Sequence, residues 1–128
     1  MMIKQIKLSN TAKDKLARLK GKTGIQNWNV LCRWALCFSL KEGTIPTDIE
    51  IASDSNVEMS WLTFAGEYHE IYESLIKEWC IANNLGIDND TIAKYLKLHL
   101  ERGINYLSGT NFIKDLKGLL DKSLSEEE

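Results

Sequence analysis

The apolar and polar positions along the chain predict a mainly helical protein. The segment Trp28–Leu40 is almost entirely apolar, and at about 3.6 residues per turn its apolar side chains cover most of a helix circumference. A helix of this kind is buried on several sides, either at the centre of a domain or between subunits. Arg33 lies in the middle of the segment, and we expect it to form an ion pair with an acidic residue from a later helix.

The residues before this segment predict a short strand and a helix. Residues 3–8 are half apolar and are predicted to form a strand, with Ile6 and Leu8 on one face and Gln5 and Lys7 on the other. A polar side chain among residues 9–11 is expected to cap the helix that follows, and Gly21 and Gly24 are expected to end it. Apolar residues at i, i+4 and i+7 predict that this helix has a buried stripe of Ala12, Leu16 and Leu19.

Residues 49–65 have a different period. Apolar residues recur at every second position in 49–51 and again in 57–61, and the turn-forming residues 54–56 lie between the two runs. This pattern predicts a small β-hairpin. An irregular loop that covers the core is the alternative, because short strands are difficult to predict from one sequence.

Helical periodicity returns after residue 66. We expect one amphipathic helix over about 67–84, a second that is capped by residues 88–91 and reaches about residue 107, and a third marked by apolar residues 112–120. Gly103 lies on the apolar face of the second of these, where a glycine often permits close packing of a neighbouring helix. The last four residues, 125–128, are expected to form a disordered tail.

Charge is distributed unevenly. Residues 1–43 contain nine basic and two acidic residues, a net charge of +7, whereas residues 44–128 contain seven basic and sixteen acidic residues, a net charge of −9. Such asymmetry favours a basic surface that binds a polyanion, although the two parts could also neutralise each other within the fold. At about 100° per residue, Lys13 and Lys20 lie on one flank of the first helix, and Lys15 and Arg18 lie on the other. The candidate nucleic-acid-binding residues are therefore Lys4, Lys7, Lys13, Lys15, Arg18, Lys20 and Lys22.

Length and composition predict a single cytoplasmic domain. A chain of 128 residues is the size of one domain, with a basic strand–helix–helix part over 1–43 and an acidic part over 44–124. It contains no apolar segment long enough to span a bilayer and no hydrophobic signal region. The three cysteines are an odd number set in apolar helical patterns, which indicates reduced, packed thiols at Cys32, Cys37 and Cys80.

No catalytic, cofactor-binding or metal-binding residues are predicted. The sequence around His69 and Glu70 lacks the second histidine that a metalloprotease helix requires, because that position is Glu73. His99 lies on an apolar helix face, where a hydrogen-bonded core histidine is the usual case. We therefore expect the protein not to be an enzyme.

The strand–helix–helix order over residues 3–40 is similar to the ribbon–helix–helix arrangement. In that fold two chains pair their strands and lay the ribbon on DNA, while the start of a helix binds phosphate. Gln5 and Lys7 would then face the DNA groove, and residues 23–26 would lead into a helix start with free N–H groups. This analogy predicts a transcriptional repressor as one alternative function.

A second resemblance extends over the whole chain. The sequence over residues 16–40, the Gly66-Glu-Tyr triplet and the segment His99–Leu107 together resemble the DndE family, the small subunit of the bacterial DNA sulfur-modification system. That resemblance implies a non-catalytic subunit that forms homotetramers and binds duplex DNA, preferably nicked, through a lysine-rich surface. It also implies partners in DNA phosphorothioation, namely a cysteine desulfurase, a reductase-like subunit and an ATPase. The alternative within the same complex is a protein-interaction adaptor whose basic part contacts an acidic subunit.

Overall fold

The computed structural model, which describes residues 4–109, confirms a mainly helical fold with a small antiparallel sheet. The predicted helix over 112–120 and the predicted tail over 125–128 lie outside the described residues. The elements follow one another as β1 (Gln5–Lys7), α1 (Asn10–Thr23), α2 (Trp28–Lys41), β2 (Glu58–Ser60), α3 (Trp61–Ala65), a 3-10 turn (Gly66–Tyr68), α4 (His69–Ala82) and α5 (Asn89–Leu107).

Helices α2 and α5 pack against each other at the centre of the core. Every apolar position predicted for α5 is buried, and Asp88 caps the helix by accepting a hydrogen bond from the Thr91 backbone N–H at 3.1 Å. The predicted close approach at Gly103 is confirmed, because a Cβ atom there would lie 1.9 Å from the Ala35 carbonyl oxygen of α2. The missing side chain therefore allows the two helix backbones to touch.

Helix α1 is longer than predicted. Ser9 is its N-cap, and the Ser9 hydroxyl accepts a hydrogen bond from the Ala12 N–H at 3.1 Å. Gly21 was expected to interrupt the helix, but it lies inside α1, and the helix ends at Gly24, which has a φ of 76°. Gly24 can adopt this left-handed conformation at little cost, whereas Gly21 only lowers helix propensity.

The predicted β-hairpin is wrong in its pairing. Residues 58–60 do form a strand, but β2 pairs antiparallel with β1, with Ile6 opposite Met59, and residues 49–51 are not a strand. The Leu8 carbonyl accepts hydrogen bonds from the Ser55 hydroxyl at 2.6 Å and the Ser55 N–H at 3.3 Å. These bonds join the turn at residue 55 to the end of β1, so β2 aligns with a strand about fifty residues earlier.

The long connection between α2 and β2 is an irregular segment held against α5. Three basic side chains of α5 bind it: Lys94 forms an ion pair with Asp48 at 2.7 Å, Lys97 bonds to Ser53, and Arg102 donates to the Thr44 hydroxyl and carbonyl. The alternative of an irregular loop, predicted for residues 49–65, thus describes residues 49–57 correctly.

Helix α4 buries only part of its predicted apolar face. Ile76 and Cys80 are buried, whereas Tyr68, Ile71 and Leu75 are 56%, 57% and 41% exposed. The three exposed side chains lie on one side of successive turns, at spacings of three and four residues. They form an apolar surface, called here the α4 face.

His99 and Arg33 each have a neutral hydrogen-bond partner. The His99 Nδ1 atom lies 2.7 Å from the Ser39 hydroxyl, as expected for a core histidine, and the Trp79 ring packs edge-on against the imidazole. The expected ion pair of Arg33 with an acid is not found within residues 4–109. Arg33 instead donates to the Ala65 carbonyl at 3.4 Å, where the last turn of α3 presents backbone oxygens.

The cysteine prediction holds for two of three thiols. Cys32 and Cys80 are buried, and burial raises the pKa of the Cys32 thiol to about 12. Cys37 is exposed, contrary to the prediction, because it lies on the side of α2 away from α5.

None of the helices between residues 4 and 109 has the length and apolar character needed to cross a bilayer.

Candidate nucleic-acid interface

Helix α1 presents basic side chains on both of its flanks, as its periodicity predicts. On one flank Lys13 and Lys20 line the same groove. On the other flank Lys15 extends toward α5 and donates to the Asn105 side-chain oxygen at 2.7 Å. Arg18 is exposed on the surface of α1, and Lys22 lies half-buried in its last turn.

The basic residues of this surface form no ion pair with an acid among residues 4–109. Within the described residues the side-chain ion pairs are Lys77 with Glu73 and Lys94 with Asp48, all outside the basic part of the chain. Lys13 donates instead to the neutral Asn56 amide oxygen at 2.6 Å, as Lys15 does to Asn105. An amide positions an ammonium group without cancelling its charge. The hydrogen bonds to these amides therefore leave the ammonium groups of Lys13 and Lys15 charged.

Lys4 and Lys7 lie apart from the α1 residues, at the two-stranded sheet. Both are exposed, and Lys7 lies directly opposite Glu58 in the strand register. Opposite residues in an antiparallel pair share a face of the sheet, so the Glu58 carboxylate offsets part of the Lys7 charge. Of the seven predicted residues, Lys7 is therefore expected to contribute least to binding a polyanion.

The strand pairing changes the ribbon–helix–helix analogy. Gln5 and Lys7 are both exposed on β1, as predicted, but β1 pairs with β2 of the same chain. In the ribbon–helix–helix arrangement the strand instead pairs with its counterpart in a second chain. The similarity is therefore limited to the order strand, helix, helix.

A groove lies beside these lysines, between α1, the start of α2 and β2. This α1–α2 groove has a volume of about 570 Å³, and the residues that line it include Lys13, Lys20, Trp28, Asn56, Glu58 and Met59. The Lys20 ammonium lies 3.7 Å from the centroid of the Trp28 ring, a cation–π contact. Trp28 was assigned to the apolar central helix from its sequence, yet its ring forms part of this polar site.

The start of α2 adds amide groups to the groove. Gln26, Asn27 and Asn29 line it, and the Asn27 side chain makes no capping hydrogen bond although Asn27 is the N-cap. The first hydrogen bond of the helix is donated by Leu31 to the Asn27 carbonyl at 3.3 Å, so the preceding N–H groups have no partner within the helix. The signal for this site was the polar run 26–29 at the beginning of an otherwise apolar helix.

Within residues 4–109, no group of three or more histidine, cysteine or acidic side chains is arranged to hold a metal ion. The features that the described chain does present are those of a small, mainly helical protein with a strand–helix–helix N-terminal part and a basic surface along its first helix.

Comparison with known proteins identifies the family. The family model described as DNA sulphur modification protein DndE matches residues 5–115. The chain belongs to the DndE family, as its sequence resemblance predicts.

Solved structures of the family have the same fold. DndE from Escherichia coli B7A, described as involved in DNA phosphorothioation modification, is 26% identical with a TM-score of 0.71, over 84% of this chain and 98% of that one. A DndE G21/24K mutant described as involved in DNA phosphorothioation is 20% identical with a TM-score of 0.59, over 79% and 94% of the two chains. A search of curated proteins gave no match.

Proposed function

We propose that this protein is the non-catalytic DNA-binding subunit of a cytoplasmic DNA phosphorothioation system. It binds the phosphate backbone of duplex DNA, without reading its sequence, through Lys4, Lys7, Lys13, Lys15, Arg18, Lys20 and Lys22. The proposal treats the chain as one domain whose basic part, 1–43, supplies these DNA contacts. Membership of a DNA sulphur modification family supports the biological setting.

The observation that carries the proposal is the row of basic side chains along α1 that form no ion pair within residues 4–109. Lys13 and Lys15 are held by neutral amides, and no acid among residues 4–109 forms an ion pair with any of the seven basic residues. DNA phosphates can replace the counterions that such a surface would otherwise attract. The positive end of the α2 dipole next to Lys20 favours a phosphate at the same place.

Nicked duplex is the preferred substrate in this proposal. The family resemblance supports this choice, and the α1–α2 groove supplies a recess beside the basic surface where an interrupted strand can bend inward. No role in the sulfur chemistry is assigned to this chain. The cysteine desulfurase, the reductase-like subunit and the ATPase of the system supply that chemistry and are its expected partners.

Self-association, as a tetramer, is the second element of the proposal. The α4 face, formed by Tyr68, Ile71 and Leu75, exposes three large apolar side chains on one side of a helix. A contiguous apolar surface of this kind is typical of an interface between proteins. We assign it to a second copy of this chain, because the family resemblance implies a homotetramer.

The test compares two double variants that remove the same charge. Lys13→Gln with Lys20→Gln removes two proposed phosphate contacts, whereas Lys77→Gln with Lys94→Gln removes two lysines that pair with acids elsewhere. Affinity for two duplexes of unrelated sequence, each with and without a nick, is measured by fluorescence anisotropy. The first variant should bind both sequences more weakly by a similar factor, and the slope of log affinity against log salt should fall by about two.

Three results would contradict the proposal in different ways. Equal weakening by both double variants would mean that net charge, and not the α1 surface, determines binding. A strong preference for one duplex sequence would indicate a repressor that reads bases. Absence of binding to every duplex at low salt would leave the adaptor function, in which the basic part contacts an acidic subunit.

A further inference from the structure

The α1–α2 groove has features that backbone binding alone does not use. We propose that it binds a single unpaired DNA nucleotide, with the base stacked on Trp28 and the phosphate held by Lys13 and Lys20. This inference rests on the proposed function, since the nucleotide belongs to a duplex that the basic surface already holds. Phosphate contacts require only cations and N–H donors, whereas an aromatic ring in such a groove adds a platform for a base.

Trp28 can serve as that platform because its ring is half-buried and its exposed side faces the groove. The Lys20 ammonium occupies this side, 3.7 Å from the ring centroid. A lysine side chain is flexible, so its ammonium can move from the ring to the phosphate of an incoming nucleotide. The base then stacks on the Trp28 ring in place of the Lys20 ammonium, and the ammonium binds the phosphate instead of the ring.

The walls of the groove provide hydrogen-bonding groups for the edge of a base. The Asn29 side-chain nitrogen donates to the Thr63 carbonyl at 3.1 Å, which holds the amide in place and leaves its oxygen as an acceptor. The Asn27 amide is not used in helix capping. Glu58 also lines the groove, and a carboxylate accepts from an exocyclic amino group and repels a phosphate. The phosphate is therefore expected at Lys13 and Lys20, and the edge of the base near Glu58.

The size of the groove suits one nucleotide. Its volume of about 570 Å³ lies within the range of roughly 300–1,000 Å³ that is typical of small-molecule sites. Lys13 is placed at its rim by the hydrogen bond to Asn56 at 2.6 Å, and α1 holds Lys20 two turns further along the same flank. Both cations that the proposal assigns to the phosphate thus line the groove.

The experiment uses three duplexes of equal length in which one strand is interrupted. The first has a fully paired nick, the second carries one additional unpaired nucleotide at the nick, and the third carries an abasic residue in place of that nucleotide. Charge is the same in the second and third, so their affinity ratio measures the contribution of the base. Anisotropy titrations with the full chain should give a ratio of at least about fivefold, the lower end expected for stacking on an aromatic side chain.

Variants test whether the affinity ratio depends on the Trp28 ring. Trp28→Leu should bring the ratio close to one, and Trp28→Tyr should retain most of it because tyrosine also stacks. Trp34→Leu is the matched control, since Trp34 is also half-buried on α2 but packs beside Phe38 with a centroid distance of 6.2 Å. It should leave the ratio unchanged.

Equal affinity of the wild-type chain for the second and third duplexes would overturn the nucleotide site, whatever the variants do. Loss of the ratio in Trp34→Leu but not in Trp28→Leu would also overturn it. Both results are compatible with backbone binding. Failure to bind the fully paired nicked duplex would instead contradict the proposed function itself.

Discussion

Replacing Gly103 by alanine tests the central packing of the fold. In an exposed helix this substitution stabilises by about 1 kcal/mol, because alanine is the better helix former. Here the added Cβ would lie 1.9 Å from the Ala35 oxygen, 2.4 Å from its carbonyl carbon and 2.8 Å from its Cα. All three atoms belong to the α2 backbone, so a side-chain rotation cannot relieve the contact.

The size of the expected destabilisation follows from how far α2 and α5 must move apart to accommodate the added Cβ atom. Non-bonded heavy atoms are most favourable at about 3.5–4.0 Å, so α2 and α5 must separate by more than roughly 1 Å. Overpacking of a core typically costs about 1–3 kcal/mol, and an unyielding backbone places this site at the upper end. After the gain in helix propensity, Gly103→Ala should lower the free energy of unfolding by about 2 kcal/mol.

Urea denaturation followed by circular dichroism measures this change. Gly21→Ala is the matched control, because Gly21 is also inside a helix and its Cβ would have no atom within 4 Å. The control should be as stable as the wild type or more stable, by up to about 1 kcal/mol. If Gly103→Ala were also stabilising, the close contact between α2 and α5 would not exist, and the reasoning would be refuted.

Three further predictions follow from other parts of the structure. Burial, and secondarily Arg102, lowers the pKa of His99 from 6.5 to about 4, so between these pH values the unfolded chain takes up a proton that the folded chain does not. The free energy of unfolding should therefore fall by up to about 3 kcal/mol as the pH drops from 6.5 to 4. His99→Asn should remove that part of the pH dependence of urea unfolding. Arg102→Lys loses bonds to Ser39 and Thr44, and should cost about 2 kcal/mol in urea unfolding and speed proteolysis within residues 44–57; unchanged cleavage would mean that Arg102 does not hold this segment. Ile71→Glu should reduce the particle mass measured by light scattering, and an unchanged mass would place the subunit interface elsewhere than the α4 face.

The helices could be predicted from sequence because their signals are local. The capping residues Ser9 and Asp88 and the periodic apolar positions of α5 all act within a few residues of one another. Gly103 was also informative, since a glycine on an apolar helix face has few explanations other than close packing. The flanks of α1 followed from helix geometry alone.

The strand pairing could not be predicted because it depends on contacts that are distant in sequence. Alternation predicted strand-like segments at both 49–51 and 57–61. Pairing two segments that are close in sequence costs less loop-closure entropy than pairing distant ones, so these two were expected to pair with each other. The hydrogen bonds between Ser55 and Leu8 determine the observed partner, and Ser55 has no pattern that reveals them. The same limit applies to Arg33, whose partner is a backbone carbonyl.

The sequence predicted the lysines of the candidate site but not its aromatic residue. Its lysines were evident from charge, because basic residues cluster in the first part of the chain. Trp28 was not, since an aromatic residue at the edge of an apolar helix is indistinguishable from a core residue by periodicity. Only the folded arrangement places it beside Lys20.

The salt dependence of wild-type binding to a nicked duplex tests the proposed function most directly. Each phosphate contact contributes about −0.9 to the slope of log affinity against log salt, so contacts from all seven basic residues predict a slope of roughly −6. A slope near this value, the same for two unrelated sequences, is the result expected of a basic surface that binds the DNA backbone. A slope near zero, or no binding at low salt, would contradict it.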